Sequence, residues 1–329
     1  MTPPDALVTA RAALSLRPWA LGVLAAGGPG EGDGAAGAPP PDAPDEAWTV
    51  FLRVERCALP LRARVLARGT ELPPAAAAAL ARRAEVELRR ALSARAQLVT
   101  LSRILSPRGA SALVLKGGVT VLGADPLDVL DVDVLVRPDQ AREVAAALEQ
   151  VGGHRPHGAD AAPGTPGTFH LSGRAAPDAI QVEVHYALPY AGEVDPWAGA
   201  VPAGLPGILR LAPAAHLWHV LVHGVVHHPE RRSTLREMLL LAAAVAACGA
   251  DDLAGVEARA AAHPDAPLLL HALQAARALS LGRPADPFRA AAALAYLVGA
   301  GAIPRAYRGR FGIDLVRTAC ALVAGEGAY

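Results

Sequence analysis

The sequence is poor in aromatic residues, 4% of 329, and has no excess of either charge, since 31 lysines and arginines face 31 aspartates and glutamates. That balance argues against a long nucleic-acid footprint or an anionic membrane surface as the main partner, and leaves room for a small or local anionic ligand. Cysteine is scarce as well: Cys57, Cys248 and Cys320 stand far apart without CxxC spacing, which argues against a disulfide framework or a thiolate zinc centre and fits a reducing cytoplasm. A long apolar run is also lacking. From Arg11 to Gly28 the chain is apolar in character, but Arg17 and Pro18 interrupt it, and the stretch after Trp19 is too short for a membrane span. Asp5 and a weak apolar segment argue against a signal peptide. The expectation is therefore a cytoplasmic protein with no membrane anchor.

What is abundant is alanine, the main contributor to the 52% of hydrophobic residues, and alanine favours closely packed helices. The length suits one large or two modest domains. Residues 27–46 are so rich in glycine, proline and acids that they read as a linker, which makes 1–46 a poorly structured N-terminal segment. Residues 47–106 read as helical: a long helix follows Pro73 and Pro74 and runs to Leu105, with Leu88, Leu92, Val99 and Leu105 at helical spacing, until Pro107 and Gly109 stop it.

A core is expected over 107–200. The run Ala112–Leu115 predicts a strand, followed by the turn Lys116, Gly117 and Gly118 and then a short helix. Residues 129–136 alternate, placing Leu130, Val132, Val134 and Val136 on one face and Val129, Asp131, Asp133 and Leu135 on the other. Pro138 opens a helix whose buried stripe is Val144, Ala147, Leu148 and Val151, closed by Gly152. Residues 168–171 and 180–184 predict two strands able to pair as a hairpin, with Ile180, Val182 and Val184 inward and Gln181, Glu183 and His185 outward. Beyond Pro213 the chain reads as helices, so 201–329 is assigned as a helical C-terminal region. There is no internal repeat. The fold class expected is α+β, a small mixed sheet covered on one side by helices and flanked by N- and C-terminal helical segments.

Two carboxylates at i and i+2 of a strand converge on one point, and Glu183 from a neighbouring strand can complete an oxygen cage for a hard divalent cation: magnesium, with manganese as the other candidate. The Gly117–Gly118 pair permits close backbone approach to an anion beside a helix N-terminus. Metals and phosphate cradling together point to phosphoryl or nucleotidyl transfer. Lys116 either neutralises a phosphate or is structural. His216, His219, His223 and His227 recur at helical spacing. Gly224 takes the place where a zinc hydrolase would carry its glutamate, so the stripe reads as a polar helix face, with His223 a candidate for nucleotide contact. Arg231, Arg232 and Arg236 are phosphate-binding candidates or a solvated cluster. His185, two residues beyond Glu183 on the same strand face, either sits at the metal site or flanks it.

The run LeuLysGlyGly, then AspValAspValLeuVal, then ValGluVal resembles the DNA polymerase β-like nucleotidyltransferase superfamily. The wider pattern, with Trp48, HisGly at 223 and 224, His227 and the following LeuArgGlu, resembles its uncharacterised bacterial family with an LKG motif, over roughly residues 47 to 290. The resemblance implies that Gly117 and Gly118 bind the triphosphate, that Asp131 and Asp133 ligate both metals, and that Glu183 completes the catalytic metal site and helps deprotonate the acceptor. It further implies a nucleotidyltransferase that moves a nucleoside monophosphate from an NTP to an unidentified hydroxyl acceptor (small molecule, peptide or RNA) and releases pyrophosphate. Leu127 stands where the family tends to have arginine, and Glu237 where it usually has aspartate. Two alternatives remain: a toxin that modifies tRNA or other RNA, against which the neutral charge counts, and a non-catalytic partner in a biosynthetic assembly, motivated by Leu127.

Overall fold

The computed structural model describes residues 3–25, 39–150, 155–156, 168–172, 180–188, 195–228 and 234–302. In chain order they form α1 (Pro3–Ala25), α2 (Asp45–Glu55), α3 (Ala58–Arg68), α4 (Pro74–Leu105), β1 (Ala112–Val114), β2 (Asp131–Val136), α5 (Ala141–Gln150), β3 (Arg155–Pro156), β4 (Thr168–Ser172), β5 (Gln181–His185), β6 (Val201–Leu205), β7 (Ile208–Arg210), α6 (Pro213–Val222), α7 (Leu235–Ala246), α8 (Ala250–Ala261), α9 (Ala266–Ser280) and α10 (Arg289–Gly299). The protein is α+β, as expected. Described residues within 1–85, 223–246 and 257–329 make one unit, and those within 86–222 and 247–256 the other. Among the described residues, no helix is long and apolar enough to cross a membrane.

The first unit is helical. Residues 3–25 are not the poorly structured start expected: α1 packs on α2, α3 and α10 and buries Ala10, Ala13, Leu14, Leu16, Ala20 and Val23. Arg17, which breaks the apolar run in the sequence, turns out to be fully buried. Its guanidinium reaches Glu55 Oε1 at 2.5 Å and grips Asp286 through Nε at 2.7 Å and a second nitrogen at 2.9 Å. Burial works against the arginine's charge, yet Glu55 and Asp286 outweigh that cost and hold its pKa above the ordinary value. Glu55 also accepts the hydroxyl of Tyr296, and its other oxygen accepts the backbone N–H of Leu235 at 2.6 Å. One carboxylate thereby caps the N-terminus of α7, where a helix leaves amides unsatisfied and its dipole favours negative charge.

The second unit is built on a seven-stranded sheet ordered β3-β4-β5-β2-β1-β7-β6. Val114, Val132, Val134, Val136, Ile180, Val182 and Val184 form one face, packed against Ala91–Leu105 of α4 and against Val144, Ala147 and Leu148 of α5. On the other face Leu113, Leu115, Leu135 and Leu211 make a smaller cluster with Trp197. The predicted hairpin is present as β4 antiparallel to β5, with Phe169 opposite Val184. Val151 and Gly152 lie outside the described residues, and Pro138 sits in the turn before α5.

Several expectations are corrected. On α4, Leu88 and Leu92 are 39% and 56% exposed. The buried stripe runs through Leu80, Ala84, Glu87, Ala91, Ala94, Leu98, Leu101 and Leu105, so in its middle turns the close-packed face is made by alanines, while Leu88 and Leu92 point outward and Leu105 is buried as expected. Val129 joins the valine side of the core and Leu130 is 44% exposed, because the strand starts only at Asp131. The sheet does not end at 200: β6 and β7 extend it through the β1–β7 parallel pairing, where the helical C-terminal region was expected to have begun. The histidine stripe is also broken. After α6 the chain makes a π-turn over His223–His227, with His228 N–H donating to His223 O at 3.0 Å, and the wider turn removes the 3.6-residue repeat on which a single histidine face depends.

Truncating Arg17 to alanine would strand Glu55 and Asp286, and breaking a buried ion pair this way costs about 3–5 kcal/mol. Urea unfolding of the variant is expected to show a loss of that size; a loss near that of an exposed pair, below about 1 kcal/mol, would show that this network does not hold the helical unit together.

Candidate metal centre

β2 and β5 run parallel, in a register that pairs Asp131 with Gln181, Asp133 with Glu183 and Leu135 with His185. Side chains alternate along a strand; because the valines of both strands face α4 and α5, the acids and His185 share the opposite face. Glu183 therefore stands directly beside Asp133. Asp133 is 2% exposed, and a carboxylate so buried must be paired. It is: Oδ1 accepts from Lys116 Nζ at 2.7 Å and lies 3.0 Å from His185 Nε2. His185 Nε2 is also 3.7 Å from Glu183 Oε2.

Lys116 is aimed there by its backbone. It sits at φ +49, in the left-handed region that side chains usually avoid. The strand end is tied down by the Leu115 N–H, which donates to Asp133 O at 3.0 Å. From Lys116 to Leu122 the chain forms a 3-10 turn that starts at the lysine, so both glycines lie inside it. Gly118 is required by packing: a Cβ there would meet Val114 Cγ2 at 2.7 Å. Its N–H donates to Leu115 O at 3.0 Å, so that amide serves the turn. Thr120 Oγ1 donates to Gly117 O at 2.8 Å and accepts from Leu127 N–H at 3.1 Å. Leu127 is buried, which explains how an apolar residue is accommodated where the resemblance expects arginine.

Electrostatics split the acids. Burial raises the pKa of Asp133, but Lys116 and then His185 overcome it and hold the carboxyl well below the usual range. Glu183 goes the other way: burial, then the charges of Asp133 and Asp131, push it up to about 7, against a partial offset from Lys116 and His185. Two carboxyls side by side with divergent pKa values mark functional sites. Asp133, Glu183 and His185 each offer one donor atom, all within 4.8 Å of one another, a separation and donor set suited to one divalent cation. Asp131 lies outside that trio, one pleat along the strand, and acts on Glu183 through its charge.

His219, read from the sequence as part of a polar helix face, is instead buried. α6 packs on the Lys116–Leu122 turn and buries the ring, whose pKa is pushed down to about 3 by desolvation, then by Lys116 and His216, while Asp133 opposes. His216 is pushed down to about 4 by burial and by Arg210. Both imidazoles are neutral at physiological pH. The remaining nucleotide-contact candidates belong to the helical unit. Arg236 is buried and paired with Glu237 at 2.5 Å, and the His223 ring packs on His228 with centroids 4.4 Å apart. Arg231 and Arg232 lie outside the described residues.

A glutamate whose folded pKa, about 7, exceeds its ordinary 4.5 favours the folded state fully at pH below the unfolded value and loses that contribution as pH rises through 7. Glu183's contribution to the metal-free protein is expected to fall between about pH 4.5 and 7, while His216 and His219, whose folded pKa values are lowered, contribute in the opposite sense, so the stability of Glu183→Gln relative to wild type is expected to rise across that range. Denaturant titrations in chelator across this range compare the two; parallel curves for wild type and variant would contradict the assignment.

Comparison with curated proteins and with solved structures returns no match. Comparison with protein families matches residues 45–280, well over half of the 329-residue chain, to the family described as Uncharacterised nucleotidyltransferase. The matched span holds the Lys116–Gly118 turn, β2 and β5, so the acid pair beside a lysine-glycine turn is carried by the region that defines the relationship, and the chain belongs to that nucleotidyltransferase family.

Proposed function

We propose that this protein transfers a nucleoside monophosphate from an NTP to an acceptor hydroxyl, releasing pyrophosphate, and that it belongs to the LKG-motif group of the family. The observation that carries the proposal is the parallel register that sets Glu183 beside Asp133, with Lys116 bonded to the same aspartate. Asp133 and Glu183, with Asp131 one pleat away, would hold a divalent cation, magnesium or manganese. Bound there, the cation supplies charge stabilisation to the reacting phosphates.

The acceptor oxygen forms its bond to the α-phosphorus as the bond to the β-phosphate oxygen breaks and pyrophosphate leaves. Glu183, beside the cation and facing the same side as Asp133, is suited to take the proton from the acceptor hydroxyl. Lys116, bonded to Asp133 at 2.7 Å, would exchange that bond for one to an anionic phosphate oxygen. Gly117 and Gly118 are buried within the turn and the Gly118 amide is engaged by Leu115 O, so their part in this reading is to hold Lys116 at the site rather than to donate to the triphosphate. Most of the rate enhancement comes from positioning and fixed charge. A second reading, that of a non-catalytic partner, draws on buried Leu127 and on the engagement of Arg236 by Glu237.

The test is a screen of four NTPs with magnesium or manganese against candidate acceptors, with products identified by mass spectrometry. Asp131→Ala and Asp133→Ala are each expected to lower turnover by about a hundredfold to a thousandfold while keeping the far-ultraviolet circular dichroism of the wild type. Full activity in both variants would exclude the assignment, and failure of the wild type to bind any NTP with metal in a thermal-shift assay would favour the non-catalytic partner.

A further inference from the structure

We propose that His185 is itself a ligand of the cation, so that the centre is a mixed nitrogen and oxygen site, formed by His185 Nε2, Asp133 and Glu183, that selects manganese over magnesium. This deepens the function proposed above and rests on it, since that reading asks only for carboxylates. The first ground is geometric. Bonds of about 2.0–2.2 Å from nitrogen and oxygen to one divalent metal place neighbouring donor atoms roughly 3–4 Å apart. His185 Nε2 is 3.0 Å from Asp133 Oδ1 and 3.7 Å from Glu183 Oε2, so the ring already points between the two carboxylates at ligand-like separations.

The second ground is the source of that placement. His185 follows Glu183 by two residues on β5 and faces the same side. The Val184 backbone between them is pinned on both edges, to Val134 of β2 and to Phe169 of β4. The imidazole is thus positioned by the middle of a sheet rather than by a loop, which suits a metal ligand that must be held in place. The third ground is the double occupation of Asp133 Oδ1: Lys116 Nζ and His185 Nε2 both lie on this one oxygen and supply the positive character that a cation would bring. When the cation enters, Nε2 coordinates as a neutral imidazole with its proton on Nδ1, and Lys116 is released toward the phosphates.

Donor chemistry then sets the preference. Magnesium demands oxygen ligands in near-ideal octahedral geometry, whereas first-row transition cations accept an imidazole, manganese holding it least tightly of the series while still taking the carboxylates that suit magnesium. Loss of affinity alone would not separate a ligand from a residue that merely orients Asp133, since removing an orienting partner also costs about 10–100-fold. The decisive readout is direct nitrogen bonding. Pulsed electron paramagnetic resonance of the full chain loaded with Mn2+ is expected to show the nitrogen coupling of a bound imidazole, and calorimetry to give Mn2+ about tenfold or more tighter binding than Mg2+. His185→Gln, which offers an oxygen instead, is expected to lose the coupling and most of the selectivity while still binding Mg2+. A wild-type Mn2+ spectrum without nitrogen coupling, alongside tight Mg2+ binding, would overturn the proposal and leave the nucleotidyl-transfer reading standing. Absence of binding by either cation would overturn both.

Discussion

Parallel pairing of β2 with β5 places Asp133 and Glu183 side by side, and the rest of the site answers that constraint. Two carboxylates facing each other under partial burial repel, and neither has enough water to screen the other. The protein meets the cost in two ways. It recruits Lys116 and His185 onto Asp133, which keeps that acid ionised, and it lets Glu183 hold its proton near neutrality. A divalent cation would remove the conflict outright. The left-handed backbone at Lys116 and the absence of a Cβ at Gly118 follow from the same demand, because the turn must leave β1 tightly enough to bring the lysine onto Asp133.

The helical unit shows a related economy of buried charge. Glu55 accepts from Arg17, Tyr296 and the first amide of α7, so one carboxylate links α1, α2, α7 and α10. Arg17 and Asp286 lie outside the matched span of 45–280, whereas Glu55 lies within it. Segments flanking the family region thus supply the partners that a carboxylate inside it needs. The residue directly after Leu235 is Arg236, so the capped end of α7 also carries the buried Arg236–Glu237 pair.

The local features of the site were legible in the sequence. Strict alternation over residues 131–136 placed the aspartates on one face, the stripe of Val144, Ala147 and Leu148 located α5 although Pro138 lies in the turn before it, and the two short apolar runs gave the hairpin. What alternation does not encode is which strands lie side by side, for register is set by contacts distant in the chain. Whether His185 sits at the metal site or only flanks it was therefore left open by the sequence, and its contact with Asp133, 52 positions away in the chain, comes from the register. Composition hid other parts. Alanine carries little contrast between buried and exposed positions, so Leu88 and Leu92 drew attention away from Ala84, Ala91 and Ala94 on the buried face of α4, and α1, buried around most of its circumference, lacks an amphipathic stripe. A short hairpin interrupted by Pro202 and Gly204 concealed β6, and the π-turn after α6 displaced a histidine pattern that a regular helix would have kept.

The central claim, that β2 and β5 together hold a cation beside the lysine-glycine turn, is tested most directly by anomalous diffraction from crystals grown with Mn2+ and a non-hydrolysable NTP analogue, with data collected at the manganese edge. A peak within bonding distance of Asp133 and Glu183, with triphosphate density beside Lys116, is the expected result. Manganese bound elsewhere, with the two carboxylates still bonded only to protein, would contradict it.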